Sequence, residues 1–172
     1  MDASLFQGNL VNSSRILYTP SVFAKTNLIH LQEIGTLQAQ KPHTSKRENL
    51  ASYLFFIVQD GSGTLEYDGR TYPLTRGACV FLDCRRPYSH RTSEDLWTLK
   101  WAHFYGPNMN GIYEKYVERG GAPAFRTQRP QVYAALLDQL YEIRASNADS
   151  RYMKIYESLT SLLTHLMKDR WN

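Results

Sequence analysis

Cysteine is scarce in this sequence, and no stretch is apolar enough to cross a membrane. The 172 residues include two cysteines, Cys79 and Cys84. Their odd separation within an extended strand would point the side chains to opposite faces, so a disulfide between them would distort the backbone. No window reaches about 18 consecutive apolar residues, and the N-terminus lacks the basic start and apolar block of a secretory signal. We therefore expect a cytoplasmic protein with reduced thiols and no membrane partner.

The motifs of common enzyme classes are also missing. The sequence contains no G-x-S-x-G, no H-E-x-x-H and no G-x-x-x-x-G-K-[ST]. Its five histidines form no H-x-H pair, the arrangement that metal-binding barrels typically place on one strand. Histidines from separate strands are still able to meet, so this pattern alone leaves a metal open. We predict no catalytic residue, no metal ligand and no cofactor.

The overall composition fits a single globular domain. Hydrophobic residues make up 42% of the chain and charged residues 21%. The formal net charge is +4, but lysines and arginines are spread along the chain. A solvated surface is therefore favoured over a direct nucleic-acid surface.

The first part of the chain reads as short strands separated by turns. Asp68-Gly69 is a strong hairpin signal between two alternating segments. Many short strands with frequent turns predict a sandwich or barrel of mainly antiparallel strands over residues 16–105. The predicted strands are 28–35, 52–59, 63–69, 70–75, 78–83 and 96–106.

After Gly120-Gly121 the apolar period changes from two to about 3.6 residues. Helices are predicted over 108–120, 129–146 and 150–172, with Ser150 as a cap of the last. We expect all helices to follow residue 107. The predicted division is an N-terminal arm and ligand-binding barrel over 1–106 and a helical segment for packing and dimerisation over 107–172.

Several motifs resemble the sensor domain of AraC-type transcription regulators. They are G-x-G-x-L-x-Y-x-G from Gly61 to Gly69, the block GACVFLDCRRP over 77–87, and W-x3-W-x-H-F-x-G from Trp97 to Gly106. The resemblance covers nearly the whole chain. It implies a cupin-like antiparallel β-barrel, or jelly roll, followed by helices, with a small-molecule effector inside the barrel.

The resemblance also indicates one ligand contact and one departure. AraC-type sensors place a sugar-contacting arginine near Arg47, although a surface charge explains that residue equally well. Many members have Pro-His-x-Tyr where this sequence has Pro87-Tyr88-Ser89-His90. Tyrosine is a poor zinc ligand, so the exchange weakens a metal site further.

Strand parity selects the remaining candidate ligand-binding residues. Residues 81–97 are interpreted as a strand entering the barrel mouth, on which Tyr88 and His90 share the inward face. They would otherwise be structural residues with satisfied hydrogen bonds. On the next strand, Leu99, Trp101 and His103 share one face. Aromatic walls with a few polar groups are typical of a site for a sugar or a similar polar molecule.

Two classes of function follow. The first is the ligand-sensing and dimerisation domain of an AraC-type regulator, which is not an enzyme. The two helix-turn-helix units of such regulators are absent from this sequence, so we expect DNA binding only through a missing C-terminal domain. The alternative is a free-standing cupin-fold enzyme, such as a sugar isomerase or a metal-dependent oxygenase.

The last predicted helix carries a wide apolar stripe. One side can pack on the preceding helix, and the remainder would stay exposed in a monomer unless the barrel covers it. The predicted homodimer interface therefore consists of Leu159, Leu162, Leu163 and Leu166.

Overall fold

The computed structural model describes residues 10–170, apart from the side chains of residues 148, 149 and 170. The first nine residues of the predicted N-terminal arm lie outside this range. Within it, the strands are β1 (Val11–Leu17), β2 (His30–Ala39), β3 (Thr44–Arg47), β4 (Tyr53–Asp60), β5 (Gly63–Tyr67), β6 (Arg70–Leu74), β7 (Ala78–Asp83), β8 (Tyr88–Thr92), β9 (Thr98–Tyr105) and β10 (Ala124–Arg126). The α-helices are α1 (Val22–Asn27), α2 (Met109–Glu118), α3 (Pro130–Glu142) and α4 (Ala148–Arg170).

The strands form two antiparallel sheets that face each other. One has six strands in the order β1-β2-β9-β4-β7-β10, and the other has four in the order β3-β8-β5-β6. Apolar side chains from both sheets share one core cluster. Within residues 10–170 no strand belongs to both sheets, so the predicted cupin-like fold is confirmed as an open two-layer sandwich.

The Asp68-Gly69 turn was predicted correctly. Both residues have positive φ, 51° and 80°, as a type I′ hairpin turn requires. Tyr67 and Arg70 are paired on either side of the turn. This hairpin joins β5 to β6 and sets the edge of the four-stranded sheet.

The prediction of one strand through residues 81–97 is wrong. β7 ends at Asp83 in the six-stranded sheet, and β8 starts at Tyr88 in the four-stranded sheet. The turn between them is fixed by Arg85, whose guanidinium pairs with Asp83 at 2.7 Å. Pro87 precedes β8 and cannot donate a ladder hydrogen bond, which favours a break there. The chain therefore crosses from one layer to the other at this turn.

Both cysteines are free and buried. Cys79 belongs to the cluster between the six-stranded sheet and the helices, whereas Cys84 belongs to the cluster between the sheets. The two thiols thus lie on opposite faces, as their spacing predicts.

The helices cover the other face of the six-stranded sheet. α3 places Tyr133, Leu137 and Leu140 in one cluster with Phe55 and Phe104 of the sheet. A short helix, α1, precedes β2, so the expectation that all helices follow residue 107 is wrong. Ser150 lies inside α4 and does not cap it, because the helix begins at Ala148.

The leucine stripe of α4 packs inside the single chain. Leu159, Leu162 and Leu166 have no exposed surface and Leu163 has 5%. All four pack in the cluster beneath the six-stranded sheet. The expectation that they stay exposed and form a dimer interface is wrong, because the sheet and α3 already cover them.

Candidate ligand-binding site

A small cavity lies between the two sheets. Its volume is about 60 Å³, room for roughly two water molecules. The structure brings all six candidate ligand-binding residues to its wall: Arg47, Tyr88, His90, Leu99, Trp101 and His103. β8 supplies two of them from one sheet, and β9 supplies three from the other.

Trp101 is held across β2 by two features of that strand. Gly35 is paired with Trp101 in the strand register. A Cβ at Gly35 would lie 2.6 Å from the indole ring, so the missing side chain provides the space for it. Two residues earlier, Glu33 accepts a hydrogen bond from Nε1 of Trp101 at 2.5 Å. The indole therefore forms a fixed aromatic wall of the cavity.

The charge of Glu33 is balanced by Arg15 on β1, at 3.3 Å. Because this carboxylate has both a cation and an indole N–H as partners, it adds little net charge to the cavity. Glu33 lines the cavity and was missed by the sequence analysis. The available signal was its even spacing from Gly35 and Leu37 on β2, because Leu37 also lines the cavity.

His103 is oriented by a second residue that the sequence analysis missed. The Ser52 hydroxyl and Nδ1 of His103 are hydrogen-bonded at 2.9 Å, which leaves Nε2 for another partner. Burial lowers the pKa of His103, and the charge of Glu33 opposes that shift only in part. The imidazole is therefore neutral at neutral pH.

Nδ1 of His90 is buried and has no hydrogen-bond partner within residues 10–170. Its ring packs beside Phe56 and Trp97, with centroid distances of 5.4 and 5.8 Å. Burial, followed by the charges of His43, Arg47 and His103, lowers the pKa of His90 to about 3. A neutral imidazole with a free nitrogen in a cavity is an unfilled hydrogen-bonding position.

Arg47 and Tyr88 form the mouth of the cavity. Both also line an open groove of about 740 Å³ outside it. Tyr88 is 5% exposed, and burial raises the pKa of its hydroxyl. Arg47 is exposed at the end of β3, and within the described residues it forms no ion pair. These two side chains separate the inner cavity from solvent.

The described residues offer neither a metal site nor a membrane-spanning helix. Among residues 10–170, no three histidine, cysteine or carboxylate side chains are grouped so that they could hold a metal ion. None of the helices in the described part of the chain is long and apolar enough to cross a bilayer.

The two facing sheets and the polar cavity between them define a cupin-like ligand-binding domain. The family model of the AraC-like ligand binding domain matches residues 31–163. The chain therefore belongs to this family. No curated protein matches the chain significantly.

Several solved structures are similar to this chain. The AraC-like transcriptional activator CuxR is similar with a TM-score of 0.54 and 12% identity, over 91% of this chain and 62% of that protein. A cupin 2 conserved barrel domain protein from Leptotrichia buccalis has a TM-score of 0.43 and 17% identity, over 55% of this chain and 40% of that one. A second cupin 2 barrel protein, from Salinispora arenicola, has a TM-score of 0.44 and 17% identity, over 65% of this chain and 89% of its own.

Proposed function

We propose that this domain is the cytoplasmic effector sensor of a transcription regulator and that it binds a monosaccharide or a similar polyhydroxy compound between its sheets. The observation that carries the proposal is the unpartnered Nδ1 of His90 beside the fixed Trp101 indole. A sugar offers hydroxyls for the imidazole and C–H groups for the indole face. The family membership supports a regulatory role, and the free cysteines fit a reducing compartment.

The size of the cavity requires it to open. Ligand pockets usually measure about 300–1,000 Å³, whereas this cavity measures about 60 Å³. Movement of Arg47 and Tyr88 would join it to the groove outside, because both line the two spaces. Within the described residues β3 pairs only with β8, so among the strands that line the cavity it is the one at a sheet edge.

We further propose that the domain signals by binding its ligand and does not catalyse a reaction of it. The cavity holds two neutral imidazoles and a carboxylate already paired with Arg15. Nothing in this set favours transformation of a bound sugar, so we expect the ligand to be recovered unchanged. Control of DNA would pass through the DNA-binding part of the regulator, and dimerisation would use a surface other than the buried leucines of α4.

A thermal-shift screen across neutral monosaccharides tests the proposal. A ligand at 100 times its Kd stabilises the folded state by about 2.7 kcal/mol. We expect Trp101→Ala and Arg47→Gln to remove this response while remaining folded. Arg91→Gln is the matched control, because Arg91 is exposed on the same sheet and points away from the cavity. If no sugar stabilises the wild type, or if both cavity variants respond like the control, the proposal is wrong.

A further inference from the structure

A second cavity lies on the helix side of the six-stranded sheet. It measures about 250 Å³ and is bounded by the connection between β1 and α1, residues 18–21, and by the first turns of α4. Leu31 of β2 and Ile155 of α4 form part of its apolar wall. It shares no lining residue with the cavity between the sheets.

Two polar atoms in this second cavity have no partner. Tyr18 Oη and Arg151 Nε are both buried and make no hydrogen bond to the atoms that the structure describes. The rest of the Arg151 guanidinium is fixed, because its terminal nitrogen donates to the Ser146 carbonyl at 2.9 Å. Both orphaned atoms carry hydrogens, so the group that satisfies them accepts hydrogen bonds.

Tyr18 and Arg151 line the same cavity, and the charge of Arg151 acts on the Tyr18 hydroxyl. Burial raises the pKa of Tyr18, and the charges of Arg151 and Arg144 oppose that shift only in part. The hydroxyl therefore stays protonated and remains a donor beside two cations. Arg151 also lies in the first turn of α4, where the helix dipole favours an anion.

The charge of Arg151 is not balanced within the described side chains. Among them, Arg151 forms no ion pair, and the residues around the cavity include no carboxylate. A water molecule would satisfy the hydrogen bonds but leave this charge unpaired. An anion would satisfy both, and the apolar wall favours one with a hydrophobic body.

We propose that this cavity binds a small organic carboxylate, with Tyr18 Oη and Arg151 Nε donating to its oxygens and Leu31 and Ile155 packing against its apolar part. The site is separate from the sugar site proposed above. It would strengthen the connection between α1 and α4, which already touch through the rings of Phe23 and Tyr152 at 5.6 Å. The bound anion would thus hold the segment before β2 against the first turns of the long helix.

Benzoate and its uncharged isostere benzamide are suitable probes. Titration of the ¹⁵N-labelled chain should shift the amide signals of Ala24, Leu31 and Arg151 with benzoate, and benzamide should bind at least about tenfold more weakly. Tyr18→Phe and Arg151→Gln should each weaken benzoate binding by about tenfold or more. Lys154→Gln removes the same charge one turn further along α4 and should leave the affinity unchanged.

Three outcomes would overturn this proposal. The first is no binding of benzoate to the wild-type chain at millimolar concentration. The second is equal affinity for benzamide, which would mean that the site does not recognise the negative charge of the carboxylate. The third is binding that Trp101→Ala removes but Tyr18→Phe does not, because the anion would then occupy the cavity between the sheets. Tyr18→Phe keeps the test valid if Arg151→Gln fails to fold.

Discussion

On one face of the six-stranded sheet, Phe55 and Phe104 pack against helices, while on the other face Phe56 and Leu99 pack against a second sheet. Both faces are buried, but their polar groups differ. On the helix side, the hydroxyls of Tyr53, Tyr116 and Tyr133 reach partners at 2.6–2.7 Å. On the sheet side, Nδ1 of His90 and Nε1 of Trp97 have no partner in the described part of the chain.

We infer from this difference that the helix face mainly stabilises the domain, whereas the sheet face is suited to bind a ligand. The centre of the helix face combines a large apolar cluster with satisfied tyrosines, which favours a rigid layer. The unpartnered atoms of Tyr18 and Arg151 on this side belong to the second cavity, between residues 18–21 and the start of α4. The sheet face keeps a small cavity and an unused imidazole nitrogen, so its packing leaves room for a guest. The four predictions below test this contrast from the largest expected effect to the smallest.

The largest effect is expected from a charge placed in the helix layer. Leu159→Glu would bury a carboxylate without a partner, so the free energy of unfolding should fall by more than about 4 kcal/mol. Circular dichroism and urea denaturation would show loss of the folded state. Met153→Glu is the control, because Met153 is 48% exposed on the same helix. A folded Leu159→Glu chain with half the wild-type mass would instead restore the dimer interface predicted from the sequence.

The same truncation on the two faces should have unequal effects. Leu162 on the helix side and Leu99 on the sheet side are both at most 2% exposed. Leucine-to-alanine changes in cores destabilise by about 2–5 kcal/mol, depending on the void that remains. We expect Leu162→Ala near the upper end and Leu99→Ala near the lower end, because Leu99 already borders a cavity near solvent. Urea midpoints for the pair measure the contrast, and a larger loss for Leu99→Ala would contradict it.

Acid should weaken the sheet side through His90. Its folded pKa of about 3 lies below the unfolded value of about 6.5. The unfolded chain therefore binds the proton first, and stability falls as pH drops from about 6.5 towards 3. Between pH 6.5 and 5 the loss should be about 2 kcal/mol. His90→Gln should flatten this slope and leave the part due to His103; an unchanged slope would mean that the imidazole is solvated.

The smallest effect is expected where α4 ends. Asp169 accepts hydrogen bonds from Thr127, Arg129 and Tyr133. Burial raises the pKa of this carboxyl, but the three hydrogen bonds together lower it by more. The pKa of Asp169 is therefore below its ordinary value. Its stabilisation is present above pH 4 and is lost as pH falls through the folded pKa.

Asp169→Asn should destabilise the chain at pH 7 by about 1 kcal/mol and remove the corresponding slope below pH 4. Urea titrations at pH 7 and pH 3 measure both quantities. If the variant loses as much stability at pH 3 as at pH 7, the ionised carboxylate is not the stabilising group.

Local sequence patterns predicted most of the regular structure. Turn residues such as Asp68-Gly69 determine the hairpin geometry directly, and helical periodicity located α2, α3 and α4 within a few residues. The short strands β3 and β10 were missed. β3 consists of four polar residues and β10 of only three residues, so neither shows a recognisable alternation of apolar and polar side chains. β1 was missed over most of its length because VNSSRIL has no clean alternation.

Some cavity residues could be predicted because alternation along a single strand shows which side chains share a face. Others could not, because their position depends on which strands are neighbours in the sheet. Even spacing places Leu99, Trp101 and His103 on one face without reference to any other strand. Glu33 and Ser52 acquire their roles only because β2 and β4 flank β9 in the folded sheet. The burial of Leu159 by the six-stranded sheet and α3 could not be predicted either, because an apolar stripe on a helix does not show which surface packs on it.

The central pairing of the larger sheet also has a consequence for folding kinetics. β2 pairs with β9, joining residues 30–38 to residues 98–105. Such distant contacts must wait for closure of a long loop, whereas the β5–β6 hairpin can form alone in about 1–10 μs. During synthesis, β2 can therefore pair with β1 but not with β9 until Tyr105 has left the ribosome. Refolding should be limited by this step, in the range of milliseconds to seconds.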